Sequence, residues 1–341
     1  MSADRYPFRM IRSEGDGPLD IAVRNLLLER PVIKRGSALQ RDAPRFVPGE
    51  QLEIAINTAI AVGEPLLITG EPGTGKTQAA YYAAYKLGLG EVLHFQVKSD
   101  SSAGDLLYHF DSVRYFRDAS LQTMRVHRSP NTAERRADGA VEAGRSNEQI
   151  AELNKEDYIE KRALWLAFES ALPRVLLIDE VDKAPRDFPN DLLHELDQME
   201  FTVKETGKRI KPENEGARPI IFITSNSERR LPEPFLRRCV YHHIPFSREI
   251  VAKAVQSRRA EYGALDQDFL DMALQRFLAL RQRPLRKKPS TGELLVWLRV
   301  IALKVGTHPE RLDTDLTKLP FLGALLKDHQ DIEELSAQPQ N

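Results

Sequence analysis

Residues 65–77 read Pro65-Leu66-Leu67-Ile68-Thr69-Gly70-Glu71-Pro72-Gly73-Thr74-Gly75-Lys76-Thr77. The short apolar run at the front has the signature of a buried strand. It empties into a turn with the spacing G-x-x-x-x-G-K-T, and Thr77–Leu87 beyond it carries a helical pattern. Strand, glycine-rich turn and helix in that order make a cradle for phosphate. Gly70, Gly73 and Gly75 free the backbone to aim amide N–H groups at one point, and the helix N-terminus adds its dipole. Lys76 would neutralise β- and γ-phosphate charge, and Thr77 would offer its hydroxyl to Mg²⁺. Glu71, Pro72 and Thr74 complete the wall of the loop.

Upstream, Leu52, Ile56, Ala59 and Ile60 recur at helical spacing over Glu50–Val62, and Gly63 ends that helix. Downstream, strands are expected at Glu91–Val97, Arg174–Asp179, Pro219–Thr224 and Val240–Phe246. Helical patterns lie between them, as in Leu192, Leu193, Leu196 and Met199. This alternation predicts an α/β core of five parallel strands with helices on both faces. After Phe246 the strand signals stop. Residues 248–262, 266–282 and 290–305 read as helices, the last opened by Ser290 and Glu293 at capping-box spacing. The chain thus divides into an extension over 1–45, with a short helix around Ile21–Leu28, a core over 46–246, a small all-α lid over 247–328 and a frayed tail over 329–341. A polar insertion over about 127–150, with Val141 as the one sizeable aliphatic residue of His127–Gln149, reads as mobile. Lys204–Arg218 reads as a loop or hairpin.

Val175-Leu176-Leu177-Ile178-Asp179-Glu180 sets two carboxylates at the C-terminal end of an apolar strand, where open α/β sheets hold ligands. Asp179 is placed to hold Mg²⁺, directly or through water. Glu180 points differently from its neighbour and can polarise an attacking water. Asp182 and Lys183 read as ordinary loop charges. The fourth strand ends in Thr224, Ser225 and Asn226. Asn226 can orient water, with Thr224 or Ser225 sharing the task; a plain turn-forming Asn is the alternative. Arg237 and Arg238, in Leu231–Cys239, are either solvated charges or an arginine finger. A finger would stabilise transition-state charge on a nucleotide held by a neighbouring subunit, which requires a ring.

In order and spacing, these landmarks resemble the AAA+ ATPases. The wording of 70–77, of Leu176–Ala184, of Thr224–Asn226 and of Leu231–Cys239 is most similar to the MoxR-type branch, and the resemblance covers about 46–305. It implies Walker A at Gly70–Thr77, and Walker B at Val175–Glu180 with Asp179 for Mg²⁺ and Glu180 catalytic. It implies sensor 1 at Asn226 and the finger at Arg238, with Arg237 the less favoured candidate. It implies ATP and Mg²⁺ as cofactors, a helical lid and a homo-hexameric ring. The family often carries a sensor 2 arginine at the start of a lid helix; here none aligns, and Lys288 or Lys287 is the substitute expected to touch nucleotide. MoxR-like ATPases act as chaperones on protein clients, remodelling them or inserting metal, often beside a protein with a von Willebrand factor A domain. Lys98–Thr123 and His127–Gln149 are the segments most free to recognise a partner. Leu106, Leu107, Tyr108, Phe110, Tyr115 and Phe116 in the first read rather as packing an inserted helical hairpin against the core, with partner recognition the alternative.

The chain has 341 residues, 49 Lys+Arg against 50 Asp+Glu, 41 % apolar and 29 % charged residues. At roughly 100–200 residues per domain, two domains fit, or one large domain with an appendage. Near-neutral charge argues against a nucleic-acid coat or a polybasic membrane binder. The lone Cys239 excludes an intrachain disulfide and a Cys-based zinc site; it reads as a small packed residue. No signal segment or 18-residue apolar run is visible, so a cytoplasmic location is expected. His242 and His243 alternate across a strand and cannot readily chelate one ion. His194 reads as structural, and Arg281–Lys288 as a solvated linker. Two rivals to a client-remodelling ATPase remain: a nucleotide-gated binding module with little turnover, and a motor acting on DNA or RNA.

Overall fold

A computed structural model describes residues 35–128, 153–263, 265–303 and 312–337. The expected helix at Ile21–Leu28 and the polar insertion beyond Arg128 lie outside the described residues.

The chain enters through α1 (Arg35–Asp42) and α2 (Glu50–Val62), then β1 (Leu66–Gly70), α3 (Lys76–Leu87) and β2 (Leu93–Gln96). Gly63 closes α2 in the left-handed region, φ 73°, where a residue without Cβ is at ease. Next come α4 (Gly104–Leu107), β3 (Tyr108–Phe110), α5 (Ser112–Arg128), β4 (Ile159–Lys161) and α6 (Ala163–Phe168). The core continues with β5 (Val175–Asp179), α7 (Phe188–Asp191), α8 (Leu193–Gln198) and the two-residue strands β6 (Phe201–Thr202) and β7 (Arg209–Ile210). It ends with β8 (Ile220–Ser225), α9 (Glu233–Leu236) and β9 (Val240–Ile244).

Five strands lie parallel in the order β2-β5-β8-β1-β9. Every residue of β1 and β5 is buried, whereas β2 and β9 alternate. That is what inner and outer strands of a sheet covered on both faces require. Successive side chains take opposite faces. Leu66, Ile68, Val175 and Leu177 join α2 and α3 in one apolar cluster, while Leu67, Leu176 and Ile178 join Trp165, Phe168 and Phe188 in another. All five strands begin and end within two residues of their expected positions.

Between β2 and β5 the chain makes an excursion. β3 pairs antiparallel with β4, Tyr108 opposite Lys161, so the excursion leaves and returns through a narrow neck. Leu106 and Leu107 are buried, and Tyr108 packs edge-on to Trp165 with ring centroids 5.9 Å apart. Phe116 and Val113 on α5 stay exposed. The apolar set read in Lys98–Thr123 therefore splits between neck and surface. Lys204–Arg218 contains the hairpin return, with Phe201 opposite Ile210.

The lid comprises α10 (Arg248–Ser257), α11 (Gln267–Gln282), α12 (Thr291–Leu303), α13 (Leu322–Leu325) and α14 (His329–Ala337) around Tyr262, Phe277 and Trp297. α14 corrects the frayed tail expected at 329–341. Asp331 is fully buried and accepts the backbone N–H groups of Arg286 at 2.8 Å and Lys287 at 3.0 Å, while Leu335 joins the lid core. The segment is polar in composition, and long-range capping holds it. No described helix is long and apolar enough to cross a membrane.

Candidate nucleotide site

The phosphate loop springs from the end of β1, in the middle of the sheet. Two of its glycines have conformations and neighbours that no side chain fits. Gly73 has φ +77°, and a Cβ there would lie 2.7 Å from Ser290 of the lid; Gly75 has φ +95°, and its Cβ would meet Phe46 at 2.6 Å. The loop is thus gripped from the lid side and from the segment before α2. Lys76 is buried and bonds the carbonyls of Gly70 at 2.8 Å and Glu71 at 2.9 Å. Burial lowers its ammonium pKa, against the pull of Asp179, Asp182, Glu180 and Glu71, which raise it.

Asp179 lies at the end of β5, one strand over from the β8 terminus. Its carboxylate accepts the Thr77 hydroxyl at 3.0 and 3.2 Å, the Thr224 hydroxyl at 2.5 Å and the ring of His94 at 3.2 Å. Burial alone would push its pKa up; the bonds from His94, Thr224 and Thr77 outweigh it and hold the carboxyl below the ordinary range. Glu180 adopts φ 62°, ψ 50°, a left-handed turn unusual for a residue with a Cβ. That turn swings its carboxylate to Gln96 at 2.7 Å, Lys183 at 2.6 Å and Asn226 at 3.2 Å. The expected site residues that follow the first, third and fourth expected strands, Thr77, Asp179, Glu180 and Asn226, therefore converge.

Two loop charges gain roles. Asp182 is buried and accepts the backbone N–H of Asn226 at 3.1 Å and of Glu228 at 3.0 Å, so it shapes the loop after β8. Lys183 pairs with Glu180. Thr224 and Ser225 do not present hydroxyls for orienting water. Both are buried, with Thr224 on Asp179 and Ser225 accepting from the N–H of Ser227.

Gly73 to Gln78, Asp179, Glu180, Thr224 and Asn226 line a cleft of about 400 Å³ whose other walls are Phe46, Val47 and the lid residues Ile250, Thr291, Gly292 and Leu295. An adjoining recess of about 430 Å³, formed by Phe46, Val47, Leu52, Ile244 and Pro245 with His242 and His243, shares Phe46, Val47, Thr74 and Ile250 with it. Burial, and next the neighbouring His243, lower the pKa of His242.

The model of one family, the AAA domain of the dynein-related subfamily, matches residues 65–239, just over half of the chain. The chain belongs to the AAA domain family. A search of curated proteins finds no match. Among solved structures, NtrX from Brucella abortus in complex with ADP is 18 % identical, with TM-score 0.46 over 89 % of this chain and 60 % of that one. A protein from Cytophaga hutchinsonii ATCC 33406, described as a candidate ATPase, is 13 % identical, with TM-score 0.38 over 88 % of this chain and 84 % of that one. The chain thus spans about 60 % of the length of NtrX.

Within this AAA domain the two arginines at the end of α9 stand outside their own cleft. Arg238 bonds Asp197 at 2.6 Å and the Pro234 carbonyl at 3.0 Å; Arg237 is 80 % exposed, with Glu233 at 3.6 Å. Lys287 and Lys288 are exposed and do not line the cleft, which corrects the expected cation at the lid helix. Asp331 holds the N–H of Lys287, tying this stretch to α14. The lid supplies Thr291 and Gly292 there, with Arg258, the residue that follows α10.

Sequence reading missed His94, Gln96, Phe46 and Arg281. His94 and Gln96 lie two apart on β2 and so share one face, and Gln96 is in register with Asp179. The strand order would have exposed both, but local pattern does not give it. Among the described residues no group of three or more His, Cys, Asp or Glu is placed to hold a metal ion. The Thr77 hydroxyl beside the Asp179 carboxylate nevertheless fits Mg²⁺, which takes one or two protein oxygens and completes its shell with phosphate and water.

Proposed function

We propose that the chain is an ATPase that binds ATP with Mg²⁺ in this cleft, cleaves the terminal phosphate, and uses the change to remodel a protein client. The observation that carries the reading is the grouping at three strand ends: Thr77 on Asp179, and Glu180 3.2 Å from Asn226, all on the wall of one cleft. A pure binder has no use for the second carboxylate.

The backbone of Gly73–Gly75 and the start of α3 would cradle the β- and γ-phosphates. Lys76, now folded onto the Gly70 and Glu71 carbonyls, would turn its ammonium to them. Thr77 and Asp179 would hold Mg²⁺, which supplies charge neutralisation at the phosphates. Glu180 would accept a proton from the attacking water while Asn226 orients its carboxylate. The apolar recess beside Phe46 and Val47 suits the base. Arg238 or Arg237 would reach the nucleotide of a neighbouring copy, since neither lines its own cleft. This asks for a closed ring, and a homo-hexamer is our working state. We assign the chain to the MoxR-type branch, with a von Willebrand factor A domain protein as a companion and the cytoplasm as its place.

Phosphate release with ATP and Mg²⁺ tests this reading. Turnover that disappears in Glu180→Gln, with nucleotide still bound, supports it. A nucleotide-gated module with little turnover is the second reading, favoured by the pairing of Glu180 with Lys183 and Gln96; binding without turnover in the wild type would establish it. Stimulation by DNA or RNA that fades with salt would instead point to a nucleic-acid motor.

A further inference from the structure

We propose that the ion pair between Glu71 and Arg281 is the contact through which the helical lid senses what the phosphate loop holds. The proposal rests on the nucleotide reading above and assigns a positioning role to a lid residue that does not itself line the cleft.

Arg281 sits in the last turn of α11 and is only 8 % exposed. A guanidinium so buried is costly unless paired. Its Nη2 donates to Glu71 Oε2 at 2.5 Å, its Nη1 donates to the Pro289 carbonyl at 2.5 Å, and its plane lies over the Phe246 ring at 3.5 Å. Those partners belong to three different units. Glu71 is in the phosphate loop. Phe246 is in the connection between β9 and α10, where core passes into lid. Pro289 leads into α12, whose Thr291 and Gly292 wall the cleft.

Glu71 faces both ways. Its carboxylate holds Arg281, while its carbonyl accepts Lys76 Nζ at 2.9 Å and Thr74 Oγ1 at 2.8 Å. Phosphate oxygens that draw the Lys76 ammonium away remove a donor from the Glu71 carbonyl. The carbonyl then keeps only Thr74, three residues on in the same loop, so the peptide turns about that contact and the carboxylate carries Arg281 with it. A displaced Arg281 moves the hinge ring and the lead-in to α12 together. Arg258, the lid arginine that does line the cleft, is engaged with Asp42 at 3.0 Å, and Lys287 and Lys288 stand outside. A contiguous chain therefore runs from Lys76 through Glu71 and Arg281 to the lid. The structure holds the arrangement with Lys76 on the Glu71 carbonyl; coupling requires a second one, which a phosphate at Lys76 would set.

Hydrogen exchange of the full chain, with and without a non-hydrolysable ATP analogue and Mg²⁺, separates the two layers. Slowed exchange over 66–77 reports binding; slowed exchange over Thr291–Leu303 reports coupling. The wild type should show both. Arg281→Gln should keep loop protection at saturating analogue; Glu71→Gln alters the phosphate loop itself and is read at an analogue concentration raised until its own protection over 66–77 saturates. Each should lose lid protection roughly fivefold, within the range for groups in one ion-pair network. The double variant should lose no more than either single one. Full lid protection in Glu71→Gln, or strictly additive losses, would overturn the latch and leave the function reading intact. A wild type with no protection over 66–77 would overturn both.

Discussion

Replacing Thr224 by valine keeps its shape and deletes one oxygen that does two things. Thr224 is fully buried; its Oγ1 donates to Asp179 at 2.5 Å and accepts the Glu180 N–H at 2.9 Å. A hydrogen bond to a charged group contributes about 1.5–3 kcal/mol, and a stranded buried N–H costs about 1–3 kcal/mol. Asp179 keeps Thr77 and His94, so the network partly compensates and the lower half, about 3 kcal/mol, is expected. At roughly 2–4 °C per kcal/mol for a unit of 150–250 residues, Tm should fall by roughly 6–12 °C. Catalysis should suffer more than the fold. The left-handed turn at Glu180 costs about 1–2 kcal/mol and is pinned by this bond. Once released, it relaxes and carries the carboxylate off its station; a misplacement near 1 Å can cost about 100-fold in rate. The pH profile gives a second reading. The Asp179 pKa is depressed in the fold, so its stabilisation is present above the ordinary carboxylate range and is lost as pH falls through the lowered value. Without Thr224 that value rises, and the acid limb of the stability curve moves to higher pH. Thermal unfolding from pH 2 to 7 and phosphate release check all three. A Tm within about 2 °C of wild type, with unshifted acid limb and rate, would refute the reasoning.

Three further outcomes are expected. Arg238→Ala and Arg237→Ala should each bind nucleotide; the one that is the finger loses about 10³-fold or more in hydrolysis, and mixing it with Lys76→Ala subunits restores activity only if the finger acts between copies. Asp331→Ala strands the N–H groups of Arg286 and Lys287 in the lid and should cost about 2–4 kcal/mol in thermal unfolding, with Asp331→Asn recovering part of it. Burial, then the charges of Glu64 and Asp197, push the Cys239 thiol up to about 12. Because its folded pKa is raised, the stabilisation it gives holds below the ordinary thiol range and fades as pH climbs through 12, and alkylation of the native chain at pH 9 should run at least about 100-fold slower than in denaturant.

What the sequence made legible is what local chemistry determines. The β1 run, the glycine turn and the β5 carboxylates each announce themselves within about a dozen residues, because strand burial and phosphate capture are short-range demands. The convergence of Asp179, Glu180 and Asn226 followed from the rule that ligands gather at strand C-termini. His94 and Gln96 stayed hidden because their role depends on β2 lying beside β5, a neighbour fixed only by the whole sheet order. Asp182 and Asp331 looked like solvent charges because nothing nearby in sequence marks a carboxylate that caps a loop 44 or 45 residues away. Burial of a charge is decided by its distant partner.

The lid cation shows the same physics from the other side. A link between lid and phosphate loop calls for positive charge, and Arg281–Lys288 is a stretch where the lid concentrates it. The family resemblance points to Lys287 or Lys288, next to the start of α12, in place of an arginine. Asp331 draws the backbone of Arg286 and Lys287 onto α14, which commits that stretch to the lid's outer side. Arg281, five residues before Arg286, ends α11 next to Phe246, and its planar fork can bond Glu71 and the Pro289 carbonyl at once. A lysine at 281 would carry the charge yet lack the fork that joins the two. The lid touches the loop through an acid of the loop itself, and that acid's carbonyl is what Lys76 must leave to meet a phosphate. Arg281→Lys should therefore keep the fold and lose the coordination between loop and lid, a separation that a purely structural arginine would not produce.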